Sequence, residues 1–188
     1  MILWIDACVR KESRTKELAE TLLGYLDDEV KALHLNNETL EPLTRESLIY
    51  RDKCIASNDV ENNSLHYARE FARADTIVIA APYWDLSFPA IFRTYIERIM
   101  VSGITFQYES DGTVKGLCND RRILYVSTAG GMVIGAHMGF EYIKQLAEHF
   151  WKIPECSLFV AEGLDFIGAD VDSIMQKTHL EIKNAICI

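Results

Sequence analysis

Glycine is missing from the whole stretch between Met1 and Leu23, and the first in the chain is Gly24. The loop after the opening apolar run, Ala7-Cys8-Val9-Arg10-Lys11-Glu12-Ser13-Arg14-Thr15, therefore holds neither the G-x-G-x-x-G of a dinucleotide fold nor a Walker phosphate loop. Basic charge is also short: 19 Lys and Arg stand against 28 Asp and Glu, for a formal net charge of -9. A nucleic-acid backbone or an anionic membrane surface calls for clustered Lys and Arg, so neither is expected as a partner. The five cysteines (Cys8, Cys54, Cys118, Cys156, Cys187) are scattered and form no C-x-x-C pair. No metal or dithiol centre is expected, only the reduced thiols of a cytosolic protein. No apolar run approaches a membrane span, and Met1 to Arg10 turns polar too early for the core of a signal peptide. The expectation is a soluble, cytoplasmic chain whose 188 residues close as one domain, 1–188, around a single core.

What is present alternates in type along the chain. Met1 to Asp6 reads as a strand, and Leu18, Leu22 and Leu26 follow at the four-residue steps of a helix. Glu29 to Leu35 alternates as a half-buried or edge strand does. Asn36 to Asn63 is polar and without a sustained period, a long excursion holding a short helix. Leu65, Ala68 and Ala72 mark a helix running into Thr76 to Ala81, a β-branched run apolar on both faces and therefore central. Pro89 suits the first turn of a helix carrying Phe92, Tyr95, Ile96 and Ile99. Gly103 to Gly116, around Asp111-Gly112, reads as an inserted hairpin or extended loop before the strand Ile123 to Ser127. A helix with Tyr142, Ile143, Leu146 and Phe150, the strand Ser157 to Ala161 and a terminal helix with Val171, Ile174, Met175 and Ile182 complete the order. About five parallel strands with helices on both faces, a doubly wound α/β sandwich, is what this alternation predicts.

In such a sheet ligands sit beyond the carboxyl ends of the strands, which directs attention to the loops beginning at Ala7, Pro82 and Ser127. The first offers Ser13 and Thr15 beside a helix N-terminus, with Arg10 and Arg14 nearby, the groups that hold a phosphate monoester. An ordinary serine cap with solvated arginines has the same pattern. The second, Pro82-Tyr83-Trp84-Asp85-Leu86-Ser87-Phe88-Pro89, is stiff and aromatic; it can stack a planar ring, or it can plug the end of the sheet. The third, Ser127-Thr128-Ala129-Gly130-Gly131, lets backbone approach a ligand closely, or simply turns from strand to helix. His137 can donate to a substrate oxygen or be structural.

The segment ADTIVIAAPYWDLSFPAIFRTYIERIMVSGITFQY, with Gly130-Gly131 and Ala161-Glu162-Gly163 further on, resembles the flavodoxin-fold family of FMN-dependent NAD(P)H:quinone oxidoreductases and azoreductases. The resemblance runs through nearly the whole chain. It implies a flavodoxin-like fold with FMN as cofactor, NADH or NADPH as donor, a quinone or azo compound as acceptor, and a homodimer with each flavin near the subunit boundary. It further implies that Ser13, Arg14 and Thr15 hold the FMN phosphate with Arg10 assisting. Pro82, Tyr83, Trp84, Asp85 and Leu86 would line the ring, and Ser127, Thr128, Ala129, Gly130 and Gly131 its pyrimidine side. Tyr108, in the hairpin, and His137 would serve as donors near the reaction. Two positions depart from the pattern. Ala7 stands where relatives often have Ser, and Asp85 stands where Asn is usual, a carboxylate that would oppose negative charge on the ring.

Hydride transfer in ping-pong order is the activity this implies. A one-electron carrier docking to proteins, which the acidic charge would suit, and a flavin-binding module without catalysis are the alternatives.

Overall fold

The structure, a computed structural model, describes residues 1–119 and 122–187. Strands β1 (Ile2–Asp6) and β3 (Thr76–Ala80) are buried at every position, as strands covered on both faces must be. β2 (Val30–His34) pairs with β1 and is exposed over its first three residues, the edge strand its alternation predicts. β4 (Phe106–Tyr108) and β5 (Val114–Gly116) form a separate hairpin, while β6 (Arg122–Thr128) and β7 (Glu155–Ala161) complete the main sheet. The order is β2-β1-β3-β6-β7, with every neighbour parallel. This is the doubly wound, flavodoxin-like arrangement.

Alternation along the strands divides the core in two. Leu3, Ile5, Ile77, Ile79, Ile123 and Tyr125 face one layer, while Trp4, Val78, Ala80, Leu124 and Val126 face the other. The first layer is closed by α3 (His66–Arg73), α4 (Ala90–Ile99) and α5 (Met138–Leu146), which bring Phe71, Phe92, Tyr95 and Ile143. The second is closed by α1 (Arg14–Leu23) and α6 (Val171–Ile186), through Leu18, Leu22, Met175 and Ile182. α1 stops earlier than its leucine spacing predicts. Beyond Gly24 the chain tightens into single turns, with Tyr25 N–H donating to Leu22 and Leu26 N–H to Leu23, and Leu26 still packs on the core.

The polar excursion after β2 is more ordered than its composition suggests. α2 (Arg45–Ala56) makes three turns rather than a short helix. It is started by a capping box in which Thr44 accepts from Ser47 N at 3.1 Å and Ser47 accepts from Thr44 N at 2.9 Å. Its missing apolar period has a plain cause, since only Cys54 of this helix is buried.

The inserted hairpin joins β4 (Phe106–Tyr108) to β5 (Val114–Gly116), with Gly112 at φ +85 in the turn. Phe106 packs on Phe150 at 5.1 Å between centroids, and Gly116 lies so close to the Trp151 carbonyl that a Cβ would fall 2.0 Å from its oxygen. Phe150 and Trp151 belong to the wide turn Ala147–Trp151 that ends the α5 helix ahead of β7. The hairpin thus sits beside the amino ends of the strands. No helix among the described residues is long and apolar enough to cross a membrane.

Candidate functional site

The carboxyl ends of the central strands are tied together by backbone hydrogen bonds that continue past the sheet. Ala7 N–H donates to Ala80 (2.9 Å), Tyr83 N–H to Thr128 (2.9 Å) and Ala129 N–H to Ala161 (2.8 Å). The three loops expected to carry a site therefore leave the sheet side by side. Between them opens a cleft of about 830 Å³ whose lining includes Arg10, Ser13, Arg14, Thr15, Pro82, Tyr83, Trp84, Thr128 and Asp165.

At one end of this cleft is the start of α1. Helix geometry leaves its first N–H groups without partners in the helix, and Ser13 caps one of them by accepting from Lys16 N at 3.4 Å. Arg10, Lys11, Arg14 and Lys16 face the cleft with Glu12, Glu17, Glu20 and Asp165, so the lining is balanced within a chain of net charge -9. Thr15 is buried and its hydroxyl lies 2.6 Å from that of Thr128, and its backbone N–H, in the first turn of α1, is a group it can offer an anion. Ala7, where a hydroxyl is usual in the resembling family, is fully buried at the strand end. The loop is braced from below by Asp6, whose carboxylate accepts from Cys8 N (2.9 Å) and lies 2.9 Å from His34 Nδ1 and 3.7 Å from Lys16 Nζ. Asn36 Nδ2 donates to the Cys8 carbonyl at 2.7 Å. Burial pushes the Cys8 thiol up to about 12, so it is no nucleophile at neutral pH.

The aromatic loop makes a tight hairpin turn. Trp84 and Ser87 exchange both backbone hydrogen bonds, and the two residues between them, Asp85 and Leu86, have φ of +50 and +67. Two successive left-handed residues are what a type I′ turn demands. Asn and Asp are the side chains that best tolerate that backbone, which explains how Asp85 can occupy a position usually held by Asn. Pro82, Tyr83 and Trp84 line the cleft, while Asp85 and Leu86 form its projecting rim.

The glycine loop is fastened to the segment after β7. Gly163 N–H donates to Gly131, Leu164 N–H to Ala129 and Asp165 N–H to Gly130, and Glu162 accepts from Val133 N at 2.7 Å. A Cβ on Gly131 would meet nothing within 4 Å, so this backbone is open to an incoming group. Ser127 is fully buried, one side-chain step from Tyr125 on the same face of β6, and among the described residues the Oγ of Ser127 and the hydroxyl of Tyr125 both lack a hydrogen-bond partner.

His137 caps α5 by accepting from Phe140 N at 3.0 Å through Nδ1, which puts the proton of the neutral ring on Nε2. That Nε2 is buried with no partner among the described residues, and the ring centroid lies 4.4 Å from that of Tyr83. Burial lowers its pKa. Tyr108, on the hairpin by the amino ends of the strands, is exposed and is not brought to the cleft of its own chain. Asp165 and Glu162 had no role in the expectations from sequence. Their only signal was position, in the loop leaving β7 at the same end of the sheet.

The donor set fits FMN: a helix N-terminus with basic side chains, an aromatic wall of Tyr83 and Trp84, and Thr128 where the glycine loop begins.

Comparison with known proteins agrees with this geometry. Residues 1–186 match a family described by its flavodoxin-like fold. The chain is 37% identical over 190 residues to a protein named FMN-dependent NADH:quinone oxidoreductase 2 from Clostridium acetobutylicum, covering 94% of this chain and 93% of that one. It is 34% identical over 199 residues to FMN-dependent NADH:quinone oxidoreductase from Clostridium perfringens, covering 100% and 96%. Among solved structures, an azoreductase from Bacillus anthracis superposes with a TM-score of 0.83 at 22% identity, over 98% of this chain and 97% of that one. With its sheet order, its clustered loops and these relatives in agreement, the chain belongs to the flavodoxin-like fold family, homologous to the FMN-dependent NADH:quinone oxidoreductases.

Proposed function

We propose that this protein is a cytoplasmic FMN-dependent oxidoreductase that passes hydride from NADH or NADPH to a quinone-like or azo acceptor in ping-pong order. The observation that carries this reading is the convergence of the three loops on one cleft, whose lining combines phosphate-type donors at Ser13 to Thr15 with the aromatic wall of Tyr83 and Trp84 and with Thr128. The names of full-length relatives at 37% and 34% identity support it. FMN, when bound, supplies the two-electron chemistry that no side chain here offers. Ser13, Arg14, Thr15 and Arg10 hold its phosphate. Pro82 to Leu86 and Ser127 to Gly131 hold the ring. The Nε2–H of His137, buried and unspent, is a donor held ready for charge that develops nearby.

A second copy completes the site in this proposal. Met132, Ile134, Leu86, Phe166 and Ile167 are exposed on the loops around the cleft, Ile134 at 91%, and a face of this kind is normally covered. Tyr108, remote from its own cleft, would then meet the partner's.

The test is an absorbance spectrum of the purified protein with FMN, followed by anaerobic NADH and then a benzoquinone. Bleaching of the flavin band and its return on adding quinone is the expected result. A bound flavin untouched by NADH would point to a one-electron carrier, and no bound flavin would overturn the reading.

A further inference from the structure

Asp165 lines the cleft and rests on the glycine loop that follows β6. Its Oδ1 lies 3.4 Å from Arg14 Nη1, at the end where an anion would sit. Its backbone N–H donates to Gly130 at 2.9 Å, and its carboxylate rests on that residue so closely that a Cβ on Gly130 would lie 2.3 Å from Oδ2. The glycine loop thus leaves out a side chain where this carboxylate sits. The backbone leading into Asp165 is held by the Gly163 and Leu164 bonds to Gly131 and Ala129, so the point at which the chain delivers this residue is defined.

The ion pair with Arg14 does not account for this arrangement. The two side chains are 46% and 72% exposed, and an open pair at 3.4 Å contributes little to stability. Among the described residues one cationic partner reaches Asp165, at the long end of hydrogen-bond distance, and a carboxylate has about four lone-pair sites. The side chain is exposed and lines the cleft, so accepting capacity is left for a ligand there.

We propose that Asp165 is the acceptor for the hydroxyls of the polyol chain that joins the ring of the flavin to its phosphate. This rests on the reading of the cleft as a flavin site. Phosphate donors cluster at Ser13 to Thr15, the aromatic wall is Tyr83 and Trp84, and Asp165 lines the same cleft beside Arg14, where the linking chain leaves the phosphate. Polyol hydroxyls are donors, and an ionised carboxylate is the strongest acceptor a side chain provides.

The test measures dissociation constants by quenching of flavin fluorescence, for the wild type, Asp165→Ala and Asp165→Asn. The probes are FMN, riboflavin and a flavin whose phosphate is joined to the ring by a pentyl chain without hydroxyls. Asp165→Ala should weaken FMN and riboflavin alike, by about 10- to 100-fold, and leave the pentyl flavin within about twofold. Asp165→Asn, which keeps one acceptor oxygen, should fall between and serves if the alanine variant does not fold. A loss on FMN and the pentyl flavin that spares riboflavin would show that Asp165 acts only through Arg14 and the phosphate, and would overturn the proposal. An equal loss on the pentyl flavin, or wild-type affinity throughout, would do so too. Failure of the wild type to bind any of the three would overturn the cofactor reading along with it.

Discussion

The hydroxyls of Thr15 and Thr128 meet at 2.6 Å, joining the first turn of α1 to the last residue of β6 where both line the cleft. One donates and the other accepts, so removing either leaves a hydroxyl unpaired at the base of the site. Thr15→Val keeps the volume and should cost about 1 kcal/mol of stability, with weaker FMN binding as α1 loosens from the sheet. Urea denaturation and flavin titration of the same samples measure both effects, and an unchanged midpoint would count against the contact.

Adjacent glycines should respond differently to the same methyl group. Gly131→Ala meets open space, so its stability should stay within the range of a neutral surface change, about 0.5 kcal/mol, while the proposed placement of the ring against this backbone makes FMN affinity fall. Gly130→Ala must displace the Asp165 carboxylate and should lose stability as well. Thermal melts with and without FMN separate the two. A Gly131→Ala variant that binds FMN like the wild type would contradict the placement of the ring.

Leu86 sits at φ +67, a backbone conformation that costs a branched-chain residue about 1–2 kcal/mol. Asn-Gly is the preferred pair for this turn. The double substitution Asp85→Asn/Leu86→Gly should therefore raise stability by about 1 kcal/mol, read as a higher denaturant midpoint at unchanged slope. A lower midpoint would mean that the exposed Leu86 side chain holds the turn through contacts.

His137 gives the fold a pH dependence of known sign. Burial lowers its pKa below the ordinary 6.5, against smaller opposing effects of its own backbone hydrogen bond, Glu141 and Glu162. The unfolded chain then takes up the proton more readily than the native one, so the full contribution is present above 6.5 and is lost as pH falls toward the depressed native value. Protonation at Nδ1 would also remove the cap on Phe140 N. His137→Asn keeps a capping side chain and should flatten the decline of melting temperature below pH 6.5. Parallel declines in both proteins would sink this account.

The legible parts of the fold were those where burial repeats at a fixed step. β1 and β3 were recognisable as central because nothing polar interrupts them, and β2 as an edge because it alternates. α2 was underestimated because a helix burying only Cys54 has no apolar stripe to detect. The candidate site was legible as three loops because a parallel sheet delivers every strand's carboxyl end to the same side. The role of Asp165 was not, since it depends on contacts to Arg14 and Gly130, 151 and 35 positions away in the chain.

Local composition and spacing determined the order of strands and helices, the layered class of the fold and the loops that could carry a ligand, because periodic burial and helix starts are properties of neighbouring residues. Only the tertiary structure decided that Thr15 is taken up by Thr128, that His137 is buried with one nitrogen unspent, and that Tyr108 stands apart from its own cleft. Those facts depend on which side chains meet across the sheet, and that is set by the packing of segments far apart in sequence.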